Sequence, residues 1–172
     1  TAASVVAGMG PTHLSILSKL FFSGANLQAV NTSDGSLPIE VAAAMGHADV
    51  VRRLHKMGCG IGRALHCAVH ESQFGAAEAL LDLGVDVDAR WGGISPLEWA
   101  CVSGNKQTAL WLIEEKGEMG GCGARTDRLL SDELCARFEL ATSSTLAHLC
   151  ATLGSGMAEV LVKMLGKTEA EG

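Results

Sequence analysis

The chain has 172 residues, 19% of them charged, and a formal net charge of −6. An acidic chain without Lys/Arg clusters lacks the concentrated positive charge that phosphate contacts need, which excludes a nucleic-acid partner. Apolar residues make up 48% and mean hydropathy is +0.25, yet no run approaches the ~20 apolar residues of a bilayer span.

The most apolar stretch, ILSKLFFSGA, is short and carries Lys19. The length suits one domain with a real core. Six cysteines (Cys59, Cys67, Cys101, Cys122, Cys135 and Cys150) form no CxxC pair. They read as small buried apolar residues of a protein in a reducing intracellular compartment. That compartment is the cytoplasm, or an organelle if a targeting peptide preceded Thr1, since the chain does not begin with Met.

In chain order, a short-helix, Gly-turn, longer-helix, Gly pattern recurs. HLSILSKLFFSGANLQAVN (13–31) matches only its second half, ending at Gly24. LPIEVAAAMGHADVVRRLHKMG (37–58) matches all of it, with Pro38 at the first helical position, where its missing N–H costs nothing. ALHCAVHESQFGAAEALLDLGVDVDA (64–89) and SPLEWACVSGNKQTALWLIEEKG (95–117) follow. Leu65 and Leu97 are 32 apart, as are Ala68 and Ala100. LAHLCATLGSGMAEVLVKML (146–165) repeats the whole unit with a small insertion. Ser95-Pro96-Leu97-Glu98 predicts a capping box: the hydroxyl accepts from a free N–H and Glu98 reaches back.

Small residues fill the first helices (Ala42, Ala43, Ala68, Ala100). Larger ones fill the second: Val50, Val51 and Leu54; Leu80 and Leu81; Trp111, Leu112 and Ile113. Small inside and large outside makes each unit a wedge, so a stack of them curves and presents a concave face. Two stretches break the pattern. Leu65 follows Gly58 by seven positions, whereas Leu97 follows Gly84 by thirteen and Ile39 follows Gly24 by fifteen. CGIGRA therefore has no room for a projecting hairpin, which is either a functional gap or a harmless deletion. Residues 117–143 read as a Gly-rich loop and a helix with Leu130, Leu134 and Phe138 on one stripe. This insertion is either packing or a partner contact.

These units resemble the ankyrin repeat. In the first full copy Gly35, Pro38, Ile39, Ala42, Ala43, Gly46, His47, Val50, Val51, Leu54 and Gly58 fit its consensus. Leu65, His66, Ala68, Leu80, Leu81, Gly84, Asp86 and Val87 fit it in the next, and Gly93, Pro96, Leu97, Ala100 and Gly104 in the third. The resemblance implies an all-α ankyrin-repeat solenoid of about five repeats (about 1–31, 32–61, 62–89, 90–117 and 144–166), with the insertion at 117–143 and short or missing fingers. Glu40 and Glu98 depart from the consensus His at the third position of the first helix, but suit the same capping work.

No chemistry competes with this reading. His66 and His70 in HCAVH share a helix face, but no third ligand is near in sequence and His66 is the repeat's own capping histidine, so no metal is expected. Gly58-Cys59-Gly60-Ile61-Gly62 follows no strand and is out of register with a dinucleotide loop, so it reads as a tight turn. There is no GxSxG, Walker loop or HExxH. Neither an enzyme nor a cofactor is expected. Trp99 and Trp111 read as core, whereas Trp91, before Gly92-Gly93 at a finger tip, is either folded onto the next repeat or offered to a partner.

The resemblance implies a non-catalytic scaffold that binds a protein partner through its concave face and finger tips. The matching positions are Ser33, Asp34 and Ser36 on one finger and Trp91, Gly92 and Ile94 on another. On inner-helix ends they are Ala44 and Met45, His70 and Glu71, Val102 and Ser103, then Thr152 and Leu153 in the last copy. A second reading is a permanent subunit of a larger complex, associated with a membrane only through a partner. TAASVVAGMG and GMAEVLVKML are nearly uncharged, and a repeat stack needs polar ends. An apolar concave face favours the first reading; apolar ends and outer helices favour the second.

Overall fold

The computed structural model describes residues 1–117, together with His148 and Ala151. The insertion and last repeat expected from the sequence, with Thr152 and Leu153, lie outside the described residues. The chain divides into two compact units, Thr1–Val85 and Asp86–Gly172.

In the first unit, helices alternate between an inner and an outer row. The inner row is α1 (Ala2–Gly8), α3 (Pro38–Ala44) and α5 (Ala64–His70). The outer row is α2 (Leu14–Phe22), preceded by the 3-10 turn Pro11–His13, then α4 (Ala48–Lys56) and α6 (Phe74–Asp82). The described part of the second unit is one helix pair, α7 (Pro96–Val102) and α8 (Lys106–Gly117). Among the described residues the only β pairing is a single antiparallel bridge, Trp91 to Ile94.

The small-and-large pattern acts as expected. Ala42, Ala43 and Ala68 are wholly buried, so α1, α3 and α5 stack closely, while Val50, Val51, Leu54 and Leu80 fill the space under the outer row. Ile39, Leu54, Leu65 and Leu80 are among the largest fully buried side chains. Each contributes about 1.5–3 kcal/mol relative to exposure. In the second unit Leu97, Ala100, Cys101, Ala109, Leu112 and Ile113 are buried, and α7 packs on α8. Trp99 and Trp111, expected in the core, are only half-buried; an indole is large and rarely wholly enclosed.

One turn ends α3, α5 and α7, every inner helix after α1 among the described residues. His47 N donates to Ala42 O at 2.9 Å, Gln73 N to Ala68 O at 2.8 Å, and Asn105 N to Ala100 O at 2.9 Å. This closure needs a left-handed residue just before the donor. Gly46 and Gly104 supply it at φ 76° and 69°, and Ser72 supplies it at φ 56° without being glycine. In the first unit the residue after the turn leans back on the preceding repeat. The His47 ring lies 3.1 Å from where a Gly10 Cβ would stand, and its Nε2 is 3.1 Å from Gly8 O. Gln73 covers Gly46 in the same way, and both glycines hold left-handed backbone, φ 88° and 76°, that would strain any side chain placed there.

The helix α1 is a finding. The sequence pattern matched only the second half of the first copy, yet Ala2–Gly8 is an inner helix whose Ala3, Ser4 and Ala7 are buried. Thr1 caps it by accepting from Ser4 N at 3.2 Å. It carries neither the Pro nor the His or Glu that marks the other inner helices, which is why its start was not legible.

Candidate partner-binding surfaces

The junctions between repeats determine what the surface offers. Residues 31–36 make a compact loop closed by Asn31 N to Ser36 O (2.8 Å) and Gly35 N to Asn31 O (2.8 Å). Asp34 organises it, accepting from Ser36 N at 3.1 Å and Ser36 Oγ at 2.7 Å. Those bonds stabilise the carboxylate, so the Asp34 pKa lies below its ordinary value. Ser33 Oγ donates to Asn31 Oδ1 at 3.0 Å. Ser33 and Asp34 are exposed, but Ser36 is only 6% exposed. Ser36 was expected to face a partner; its two bonds to Asp34 turn it inward.

The second junction, Cys59–Arg63, carries no hairpin. Gln28 straddles it, donating from Nε2 to Gly58 O at 2.8 Å and accepting from Gly60 N at 3.1 Å. Cys59 Sγ donates to Leu27 O at 3.1 Å. The chain then turns at Gly62 (φ 54°), where a Cβ would overlap Glu40 Oε1. Glu40 is 4% exposed. It accepts from Leu37 N at 3.0 Å, Arg63 N at 2.9 Å and Arg63 Nε at 3.3 Å. It caps its own helix and holds the start of the next repeat.

The finger of the second unit is a tight Trp91–Ile94 turn: Trp91 N donates to Ile94 O at 3.0 Å and Ile94 N to Trp91 O at 3.1 Å. Gly92 and Gly93 take the left-handed conformations at its tip. Arg90 Nη1 donates to Gly93 O, and Arg90 Nη2 reaches Glu98 Oε1 at 3.2 Å. Glu98 is wholly buried. It also accepts from Ser95 N at 2.7 Å while Glu98 N donates to Ser95 Oγ at 3.3 Å, completing the capping box. Trp91 is 50% exposed. Ile94, expected at the tip surface, is 7% exposed, because the turn points it under the finger.

On the inner-helix ends of the first unit, Met45 is 58% exposed and Ala44 half-buried; His70 and Glu71 are exposed, with His70 Nδ1 2.9 Å from Glu71 Oε1. In the second unit Val102 is half-buried and Ser103 exposed. Ser33, Asp34, Met45, His70 and Glu71 thus belong to the first unit, and Trp91, Gly92, Val102 and Ser103 to the second. Two exposed residues that sequence reading passed over are Val5 (59%) and Met9 (54%) on α1. Their signal was the match of AASVVAGMG to PIEVAAAMG, which places Val5 with Val41 and Met9 with Met45.

The remaining chemistry is modest. His66 is buried and His70 exposed, and no group of His, Cys, Asp and Glu among the described residues is placed to hold a metal. Cys59, Cys67 and Cys101 are free thiols. Burial pushes Cys59 up and Cys67 up to about 11, with Glu40 and Glu71 adding to the latter and Arg63 opposing. No helix among the described residues is long and apolar enough to cross a membrane.

No curated protein matches the chain. The family model described as ankyrin repeats (3 copies) matches residues 4–91 and 42–126. That range includes the inner helix α1 as well as the four-residue finger, and repeats of this kind generally mediate protein–protein interaction. With most of the chain matched and the turns, caps and helix rows in register with it, the chain belongs to the ankyrin-repeat family.

Proposed function

We propose that this chain is a non-catalytic protein-binding module that engages its partner through the inner-helix face of the first unit and the finger of the second. The supporting observation is that large apolar side chains stand exposed where the fold does not need them: Met45 at the end of α3 and Trp91 on a finger held rigid by its own bridge. Exposed Trp and Met on a stiff scaffold supply contact area at small entropic cost. Ser33, Asp34, His70 and Glu71 add polar groups to the surface of the first unit, and Gly92, Val102 and Ser103 complete the candidate positions of the second.

Cross-linking mass spectrometry on the chain in native extract tests this. Partner cross-links are expected beside Met45 and Trp91, and Met45→Ala with Trp91→Ala should cut their yield about tenfold. Undiminished yield would overturn the reading. A second reading, a permanent subunit of a larger complex, is favoured by α2, an outer helix that exposes Ile16 (44%), Phe21 (39%) and Phe22 (82%). Under that reading the cross-links gather on α2, and Phe22→Ser releases the chain from a large particle on size fractionation.

A further inference from the structure

The apolar part of the inner-helix face extends onto α1. Ala2, Val5 and Met9 follow each other at helical spacing and are all exposed, whereas Ala3, Ser4 and Ala7 turn toward α3. On α3, Val41 and Met45 occupy the same two positions. Val41 Cγ1 lies 3.3 Å from where a Gly8 Cβ would stand, so Val41 sits on the α1 backbone. Val5, Met9, Val41 and Met45 therefore form one strip across two helices. Its methionines are flexible and polarisable, as suits a surface that adapts to apolar side chains.

The charge beside the strip has one sign. Helices α1, α3 and α5 contain no Lys or Arg, and neither does the loop Asn31–Ser36. Asp34 and Glu71 are exposed, and the Cys67 thiol on α5, at the position of Val5 and Val41, feels Glu71 and Asp34 as well as Glu40. The nearby guanidinium, Arg63, is engaged with Glu40 at 3.3 Å. A methionine strip ending in carboxylates complements a segment with apolar side chains and Lys or Arg beyond them.

We propose that the α1–α3–α5 face binds a basic amphipathic segment of a partner protein, its apolar side chains on Val5, Met9, Val41 and Met45 and its Lys or Arg side chains toward Asp34, on the loop before α3, and Glu71, at the end of α5. This rests on the binding-module reading and adds the class of partner and the contribution of α1.

The test uses the intact chain and a fluorescein-labelled peptide of Leu and Lys with leucines at helical spacing, beside the same peptide with Glu for Lys. Anisotropy should show the Lys peptide binding about tenfold or more tightly, with the preference fading as salt rises. Met9→Gln with Met45→Gln should weaken it about fivefold or more. Asp34→Asn with Glu71→Gln should erase the preference for Lys over Glu. All four side chains are exposed, so unchanged circular-dichroism melting separates lost binding from lost fold. Equal affinity for the two peptides, or parental affinity in the methionine variant, overturns the proposal. So does capture by phosphatidylcholine vesicles that the methionine variant abolishes, which would make the strip a lipid contact. If the peptide arms fail but native cross-links still depend on Trp91, this inference falls and the binding module stands; if both fail, both fall.

Discussion

Glu40 in the first unit and Glu98 in the second occupy the same place in the repeat, the third residue of an inner helix. Both are buried, both accept from the backbone N–H that opens their own helix, and both meet an arginine. The arginines come from opposite directions. Arg90 precedes Glu98 by eight residues, from the finger of the same repeat. Arg63 follows Glu40 by 23 residues, from the start of the next repeat, where no finger exists. A carboxylate in place of the consensus histidine calls for a cation, and the two repeats draw it from different places. At Glu98 the pair is internal and ties down the finger that carries Trp91. At Glu40 the pair crosses the junction and holds the start of the next repeat.

The largest expected effect separates those roles. Glu98→Ala leaves Arg90 and the Ser95 N–H without their acceptor and should cost about 3 kcal/mol in urea unfolding. Its loss of hydrogen-exchange protection should stay within the finger and α7. Glu40→Ala should cost less, about 2 kcal/mol, because the Arg63 side chain is 36% exposed and regains water. Its loss of protection should spread to the first amides of α5. A double-mutant cycle of Glu40→Ala with Arg63→Ala that shows no coupling would break the comparison.

The glycines sharpen it. Gly62 and Gly92 have nearly the same left-handed backbone, φ 54° and 57°. Around Gly92 nothing lies within 4 Å, whereas at Gly62 a Cβ meets Glu40. Gly92→Ala should cost about 1 kcal/mol from conformation alone and Gly62→Ala about 2 kcal/mol. The excess at Gly62 should shrink in the Glu40→Ala background, leaving the contact with Leu37 Cδ1 at 3.0 Å.

The smallest effect is a titration. The Cys67 thiol keeps its proton to about 11, against 9.0 for an ordinary thiol, chiefly through burial and then through Glu40. A raised pKa means the unfolded thiol ionises first. Its contribution to stability is therefore whole below pH 9 and is lost as pH climbs toward 11. Peptide-mapped alkylation should show Cys67 reaching half its limiting rate near pH 11, and at lower pH in Glu40→Ala. An ordinary thiol profile would refute the burial of Cys67, and an unchanged profile in Glu40→Ala the influence of Glu40.

Much of this was legible because ankyrin repeats announce themselves locally. Pro38, Pro96, the Ser95–Glu98 box and the turn glycines each specify a conformation on their own, and the alanine positions follow from close stacking. The finger gap was legible from residue counts alone. The inner helix α1 was not, since no Pro, His or Glu marks its first turn. Nor were the inward turns of Ser36 and Ile94: burial at a loop tip depends on which carboxylate or backbone group the loop folds onto, and those partners declare themselves only in three dimensions. The arginine partners of Glu40 and Glu98 were hidden for the same reason, lying 23 and 8 residues away in opposite directions.

Ser72 gives the first unit a built-in order of events. It holds the same left-handed turn as Gly46 at φ 56°, a conformation that costs a non-glycine residue about 1 kcal/mol. In an array where each repeat leans on its neighbours, a taxed turn is a preferred breakpoint. The α5–α6 pair should be the last of this unit to fold and the first to open. Pulled from its ends, the unit would yield there, leaving the α1–α3 strip assembled while His70 and Glu71 let go.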